Sequence, residues 1–232
     1  MLRQVEPELL DTLPAADPRA IGSRRDLQRL NFWMGQSLIT GRQLQRAFPH
    51  KPPRHLLDLG GGDGRFLLSV CRRLGRPWQG IEVTIIDRHN LLASATQGAF
   101  AAAGWRVNVS EHDIFGFFKS RASGFCDVIL ANLVLHHFSD STLHSIFAIA
   151  KEMTALFLAV EPRRSGLAFA FSRAVGFIGC NSVTRHDAPL SVRAGFDGNE
   201  LSKLWPQDEL WCLEERPAGL FSHLFVARRI VG

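Results

Sequence analysis

The chain from residue 55 onward alternates short apolar runs with longer stretches in which apolar residues recur at helical spacing. Strands that alternate with helices indicate βαβ units, and such units build a parallel sheet with helices on both faces. Five strands are predicted by the apolar runs, at 55–59, 81–87, 105–109, 126–132 and 155–161.

The first 50 residues differ from this pattern. Prolines and alternating acids over the first ~20 residues indicate a loosely ordered arm. One helical face then follows, and a second helix is expected to end before the rigid linker "PHKPPR". The apolar residues of that face are Leu27, Leu30, Met34 and Leu38. We therefore predict a helical N-terminal cap over residues 1–50 and a main domain over residues 51–232.

The alternation breaks for about thirty residues after Pro162 and resumes with a short helix near 198–204. Two β-rich runs follow, "ELWCLEERP" and "LFSHLFVARRIV", and the segment Pro217–Gly219 between them suits the turn of an antiparallel hairpin. The predicted fold class is α/β, with a doubly wound, seven-stranded, mostly parallel sheet. A C-terminal antiparallel hairpin and the helical N-terminal cap complete it.

Composition and charge exclude several classes of protein. The chain is 46% hydrophobic and 21% charged, as in ordinary globular proteins. Its net charge of +5 comes from scattered basic residues, which favours a solvated basic surface over nucleic-acid binding. The four cysteines lie far apart and no histidine stands at ligand spacing, so we predict reduced thiols and no metal site. Without an apolar leader or a long apolar run, a cytoplasmic location is expected, with no transmembrane segment.

The stretch "LLDLGGGDGRF" at 56–66 places a glycine-rich turn after the first predicted strand. A P-loop is excluded because no Lys-Ser or Lys-Thr follows the glycines. The dinucleotide fingerprint is excluded because Arg65 stands where its third glycine would allow close helix packing. The remaining pattern is D-x-G-x-G-x-G from Asp58 to Gly64. Such a turn suits a ligand with a charged amino-acid tail and no pyrophosphate.

This turn is similar to motif I of the class I S-adenosylmethionine-dependent methyltransferases, and residues 55–161 follow that family's order. The resemblance implies S-adenosyl-L-methionine as cofactor. It also implies that Asp87 accepts bonds from the ribose hydroxyls, that Asp113 and Ile114 meet the adenine, and that Asn132 lies beside the methionine part. The implied cofactor-binding residues are Asp58, Gly60, Gly62, Gly64, Asp87, Asp113, Ile114 and Asn132.

Each of these positions also has an ordinary structural interpretation. Asp58 could cap the turn, Asp87 and Asp113 could be turn formers at strand ends, and Asn132 could be a buried amide. Asp87 also lies 27 residues after Gly60, further than the usual ~20. The functional interpretation depends on four signals in the expected order, of which the glycine turn is the strongest.

Residues 163–196 stand where such enzymes build a substrate lid, and they are rich in phenylalanine. An apolar pocket with a few polar groups suits a small, partly hydrophobic acceptor, although the same phenylalanines could be ordinary core. The apolar cluster is Phe169, Phe171, Val175, Phe177 and Ile178, and the polar residues are Arg185, His186, Asp187 and Arg193.

The segments "SRRDLQRLNFWMG" and "HDAPLSVRAGF" further resemble small bacterial methyltransferases of polyketide and phenolic metabolism. This resemblance implies transfer to a phenolic or enolic oxygen. The fourth-strand sequence lacks the [DNS]-P-P-[YFW] motif of many enzymes that methylate base amines, so a nucleic-acid partner is not expected. Transfer to carbon or nitrogen of a quinone, a lipid-like molecule or a protein stays open. A non-catalytic cofactor-binding protein and a homodimer also stay open.

Three histidines are candidates for the base that removes the acceptor's proton. The pair "LHHF" stands where related enzymes often carry "LEHV", so His137 takes the family's histidine position and His136 replaces a glutamate. His186, next to Asp187, could face the acceptor from the lid. Each could instead be a structural histidine that bonds backbone groups.

Overall fold

A computed structural model of the protein describes residues 1–120 and 124–230, and it contains a seven-stranded sheet in the order β3-β2-β1-β4-β5-β7-β6. Strands β1 to β5 are parallel, and β7 runs antiparallel to both β5 and β6. The predicted fold class is therefore confirmed. The strands are β1 (His55–Leu59), β2 (Glu82–Asp87), β3 (Arg106–Glu111), β4 (Cys126–Asn132), β5 (Thr154–Pro162), β6 (Trp211–Ala218) and β7 (Ser222–Arg229).

The C-terminal hairpin turns later than the sequence pattern predicts. Pro217 and Ala218 belong to β6, where they pair with His223 and Ser222, and the turn occupies residues 219–221. Proline is tolerated here because β6 is the edge strand of the sheet, so the missing N–H need not cost a ladder bond. The prediction that Pro217 and Ala218 form the turn was wrong for this reason.

Ten α-helices lie within the described residues. Two short 3-10 helices, Leu135–His137 and Val175–Ile178, lie there as well. No helix in this part of the chain is long and apolar enough to cross a membrane. The helices are α1 (Leu9–Thr12), α2 (Pro18–Trp33), α3 (Gln36–Ala47), α4 (Arg65–Leu74), α5 (Ser94–Ala102), α6 (Ile114–Ser120), α7 (Asp140–Met153), α8 (Gly166–Ala174), α9 (Ser182–Ala194) and α10 (Glu200–Leu204).

Both faces of the sheet carry an apolar core, because successive strand residues point to opposite sides. Leu57 and Leu59 of β1 face one core together with Phe147 of α7. Leu56 faces the other core together with Leu67 of α4. Burial on two faces explains why the strands read as nearly continuous apolar runs rather than as alternating ones.

The N-terminal 47 residues contain α1, α2 and α3, and they pack against the sheet domain in two ways. Leu44 of α3 lies in the same core as Leu56 and Leu67. The arm before α1 is fixed by Arg3, whose guanidinium donates to the carbonyl oxygens of Ala194 and Phe138, each at 2.8 Å. The segment predicted to be a loosely ordered arm is therefore hydrogen-bonded to the end of α9 and to the turn after β4.

Candidate active site

A cavity of about 680 Å³ lies at the carboxyl edge of the parallel strands, where open α/β sheets bind ligands. The structure brings seven of the predicted site residues to this cavity, and the remaining four stand elsewhere. Among the described residues, the seven that line it are Gly60, Gly62, Asp87, Asp113, Ile114, His136 and His137. The four outside its lining are Asp58, Gly64, Asn132 and His186.

The glycine turn after β1 requires a close contact between Gly60 and Val134, and it requires left-handed backbone at Gly60 and Gly62. Gly60 has φ +65°, and a Cβ added there would lie 2.6 Å from Cγ2 of Val134, in the turn after β4. Gly62 has φ +56°, and an added Cβ would meet no described atom within 4 Å because the residue faces the cavity. Only glycine adopts these conformations without strain while leaving room for a ligand.

Asp58 lies beneath the turn rather than in the cavity, with only 1% of its surface exposed. Its Oδ2 has no hydrogen-bond partner among the described residues. Burial, assisted by the negative charge of Asp87, raises the pKa of Asp58 to about 8, so the carboxyl is mostly protonated at pH 7. Gly61 covers it so closely that a Cβ would lie 2.5 Å from Oδ2. The contribution of Gly61 to the turn was missed in the sequence analysis.

The acids at the ends of β2 and β3 are held by backbone donors. Asp87 accepts N–H bonds from Gly62 at 3.0 Å and from His89 at 3.1 Å, one on each carboxylate oxygen. Asp113 accepts the N–H of Gly116 at 2.6 Å, at the start of α6. Each carboxylate oxygen keeps acceptor capacity after these bonds, so both side chains can receive ligand donors from the cavity.

Asn132 ends β4 with its Oδ1 buried and without a hydrogen-bond partner among the described residues. The next residue, Leu133, lines the cavity in its place. Leu133 has φ +54°, a left-handed conformation that no other non-glycine residue of the described chain adopts. Such strain in a leucine persists only where surrounding bonds impose it. No sequence signal marks this turn, because leucine is not typical of a left-handed position.

Glu161, at the end of β5, supplies those bonds. Its buried carboxylate accepts the N–H groups of Val134 at 3.0 Å, Leu135 at 2.9 Å and His136 at 3.3 Å. The Oε2 atom also lies 2.7 Å from Nδ1 of His136. One side chain thus fixes the whole turn after β4. Glu161 was missed in the sequence analysis, although an acid within the apolar run "TALFLAVEP" was a usable signal.

His136 stands between two carboxylates, with Nε2 3.5 Å from Oε1 of Glu8 and Nδ1 against Glu161. Burial alone would lower the pKa of His136, but its contacts with Glu161 and Glu8 outweigh burial and raise the pKa to about 9. A histidine that already holds its proton at pH 7 is a poor proton acceptor. His136 is therefore less suited to accept a proton than a neutral histidine would be.

His137 lies beside His136, with the two ring centroids 4.2 Å apart, and it lines the cavity. Its Nδ1 is 3.2 Å from Oδ2 of Asp11, in α1. The contact with His137 is the main cause that lowers the pKa of Asp11, and the guanidinium of Arg88 lies 3.2 Å from the other oxygen. His137 is therefore a cavity imidazole beside an ionised carboxylate.

His186 is half exposed and stands outside the described lining of the cavity. Its Nδ1 lies 2.8 Å from Oδ1 of Asp187. The Asp187 carboxylate in turn accepts the N–H groups of Leu9 at 2.9 Å and Leu10 at 3.0 Å. The predicted His–Asp pair exists, and its aspartate caps α1.

Two segments wall the apolar part of the cavity. The predicted lid, residues 163–196, folds mainly into α8 and α9, and Phe171 and Val175 line the cavity whereas Phe177 is 94% exposed. The opposite wall comes from the N-terminal arm and α2, which the sequence analysis did not connect with the site. Its apolar residues are Leu10, Leu13, Leu27, Leu30 and Met34.

Three side chains at the polar end could hold a metal ion. The ligand atoms of Glu8, His136 and His137 all lie within 4.8 Å of one another, and no other such group occurs in the described ranges. The sequence analysis predicted no metal site, because Glu8 is far from the histidines along the chain. Only the folded arm brings the three together.

The strand order, the glycine turn after β1 and the acids that end β2 and β3 together define a class: α/β proteins that bind a nucleoside at the carboxyl edge of the sheet. A family model described as a methyltransferase domain matches residues 25–210. The chain belongs to this methyltransferase family, and the resemblance seen in the sequence is confirmed.

Comparison with known proteins adds one curated relative and many similar folds. The chain is 28% identical over 142 residues to a 3-hydroxy-5-methyl-1-naphthoate 3-O-methyltransferase of Streptomyces sahachiroi. The match covers 59% of this chain and 39% of the relative, so the chain spans well under half of that protein.

Solved structures share the fold at low sequence identity. The plantazolicin methyltransferase BpumL in complex with SAH superposes with a TM-score of 0.62 at 15% identity, covering 92% of this chain and 91% of that one. An O-methyltransferase family protein from Burkholderia thailandensis gives 0.59 at 18% identity, covering 94% and 62%.

We predict that Glu161→Gln lowers the free energy of unfolding by about 3–5 kcal/mol, the usual cost of breaking a buried ionic pair. The amide keeps one acceptor oxygen but turns an NH₂ group toward N–H donors and leaves His136 without its partner. Chemical denaturation measures the change. Glu214→Gln, which removes an exposed partner of Arg216, is the control and should cost about 0–1 kcal/mol. Equal losses in the two variants would contradict the role given to Glu161.

Proposed function

We propose that this protein transfers the methyl group of S-adenosyl-L-methionine to a hydroxyl oxygen of a small, largely apolar acceptor, most simply a phenol or an enol. One observation carries the proposal: a single cavity runs from the acids that end β2 and β3 to the histidine pair after β4. A donor nucleoside and an acceptor can therefore lie end to end in one enclosure.

The cofactor would occupy the part of the cavity beside the first three strands. Asp87 would accept both ribose hydroxyls, while Asp113 would meet the adenine amino group and Ile114 would pack on the ring. Gly60 and Gly62 leave space for the methionine part at the turn. Support comes from the free acceptor capacity of both carboxylates and from membership of the methyltransferase family.

The acceptor would lie between α2 and α8, where the walls are apolar. Leu27, Leu30, Met34, Phe171 and Val175 offer flat contact area without a strong hydrogen-bond donor. Such walls suit an aromatic ring, and the polar end at His137 suits its hydroxyl group. The Streptomyces relative acts on a hydroxylated naphthoate, which is an acceptor of this kind.

Methyl transfer would be a direct in-line displacement. When bound, S-adenosyl-L-methionine would supply the methyl group to the acceptor oxygen. The carbon–sulfur bond would break, and its electron pair would stay on sulfur in the departing S-adenosylhomocysteine. Alignment of two bound reactants can lower the barrier by ~7–11 kcal/mol. The hydroxyl proton would pass to His137, whose ring faces the cavity beside Asp11. His136 and His186 are poorer candidates because of their surroundings.

We predict that Asp87→Ala weakens S-adenosylhomocysteine binding more than Asp113→Ala does. Two charge-assisted bonds are lost in the first variant and one in the second, so about tenfold or more is expected for Asp87. Isothermal titration calorimetry measures both affinities. Asp208→Ala is the control, since Asp208 pairs with Lys151 outside the cavity. Wild-type affinity in both site variants would remove these acids from the cofactor site.

We predict that the protein methylates hydroxynaphthalenes with S-adenosylmethionine and that His137→Ala lowers turnover about 10²–10⁴-fold, the usual contribution of general-base help. Affinity for S-adenosylhomocysteine should be unchanged. His186→Ala should keep nearly full turnover, because its ring lies outside the described lining of the cavity. Mass spectrometry of the product identifies the methylated atom. Normal turnover in His137→Ala would exclude this histidine.

A further inference from the structure

The Glu8–His136–His137 cluster has the ligand types of a transition-metal site. Two imidazoles and one carboxylate suit divalent ions of the first transition row, zinc included. Two of the three residues are buried and the third, His137, is half-buried, so bulk water competes weakly for an ion placed between them.

The separation of the two facing ligand atoms would fit an ion between them. Nε2 of His136 and Oε1 of Glu8 are 3.5 Å apart, which is the outer limit for a hydrogen bond between them. An ion with tetrahedral bonds of ~2.1 Å holds its ligand atoms about 3.4 Å apart. Small side-chain rotations would bring His137 to the same spacing, because its ligand atom already lies within 4.8 Å of the others.

In both histidines the ring nitrogen Nδ1 lies close to a carboxylate of another residue. Oε2 of Glu161 lies 2.7 Å from Nδ1 of His136, which leaves Nε2 directed at Glu8. Oδ2 of Asp11 lies 3.2 Å from Nδ1 of His137. A carboxylate behind each imidazole is the common outer arrangement of metal-ligating histidines, since it fixes the ring and raises its basicity.

The carboxylate of Glu8 is held in place from both sides along the arm. Before it, the Arg3 guanidinium donates to the carbonyl oxygen of Phe138 at 2.8 Å. After it, the Asp187 carboxylate accepts the N–H of Leu9 at 2.9 Å. The arm thus holds Glu8 against the turn after β4, and the hydroxyl of Ser191 donates to Oε1 of Glu8.

We propose that Glu8, His136 and His137 form a binding site for a divalent transition-metal ion, such as Zn²⁺, at the acceptor end of the cavity. Three protein ligands leave at least one coordination position, which opens on the cavity where an oxygen ligand fits. The ion would join the N-terminal arm to the turn after β4. Binding would displace the proton from Nε2 of His136 and would occupy His137, so the proposed role of His137 as a base applies to the metal-free protein. Ion binding is measured without cofactor or acceptor, so its outcome is distinguishable from that of the proposed function.

Cobalt(II) is the probe that tests the site, because a protein-bound Co²⁺ with nitrogen and oxygen ligands absorbs visible light. Protein freed of metal by chelation should bind one Co²⁺ with a visible band, and Zn²⁺ should abolish that band. Glu8→Gln and His137→Ala should each weaken Co²⁺ binding at least about tenfold. Asp11→Asn, which changes the carboxylate behind His137, should weaken it about 10–100-fold. Calorimetry with Zn²⁺ gives the same constants without a chromophore.

Two control variants match the ligands in type. Glu6→Gln changes an arm carboxylate that pairs with Arg193, and His144→Ala removes an exposed histidine bonded to a backbone carbonyl; both should bind Co²⁺ normally. The NMR signals of the histidine rings in the unsubstituted protein give a test that does not depend on whether a variant folds. Paramagnetic Co²⁺ should broaden the signals of His136 and His137 before that of His144. Absence of stoichiometric binding, or binding unchanged by Glu8→Gln and His137→Ala, would overturn the proposal.

Discussion

The hydrogen bonds that the buried carboxylate of Glu161 accepts are the interaction on which the rest of the site depends. Its bonds to three consecutive N–H groups and to the His136 ring hold the turn after β4 in a shape that includes a left-handed Leu133. That turn sets the position of His137 and brings Val134 against Gly60 of the glycine turn. One buried carboxylate therefore aligns the turn after β4 with the glycine turn after β1.

The second constraint is the N-terminal arm, which completes the cavity from outside the sheet domain. Arg3 bonds it to the end of the turn after β4, and Asp187 caps α1 from the opposite wall. The arm supplies the acids Glu8 and Asp11 to the histidine pair. A sheet domain alone would leave the acceptor end open to water, whereas the arm and α9 enclose it.

The sequence predicted the sheet, its order of elements and the acids at strand ends, because strand periodicity and glycine spacing are local signals. It did not predict that Asp58 would be buried under Gly61, since that depends on how tightly the turn folds back. It indicated three candidate bases, His136, His137 and His186, but not which of them can accept a proton, because neighbours distant in sequence, Glu161 among them, decide what a histidine can do. A cytoplasmic location and a homodimer stay predictions.

We propose that one cavity would hold the donor nucleoside beside Asp87, with its sulfur toward His137. A crystal structure with S-adenosylhomocysteine tests it most directly. The account predicts both ribose hydroxyls within hydrogen-bonding distance of the Asp87 carboxylate, the adenine against Ile114, and the sulfur facing the apolar space between α2 and α8. A nucleoside bound elsewhere, or one whose sulfur faces away from the histidine pair, would contradict the account.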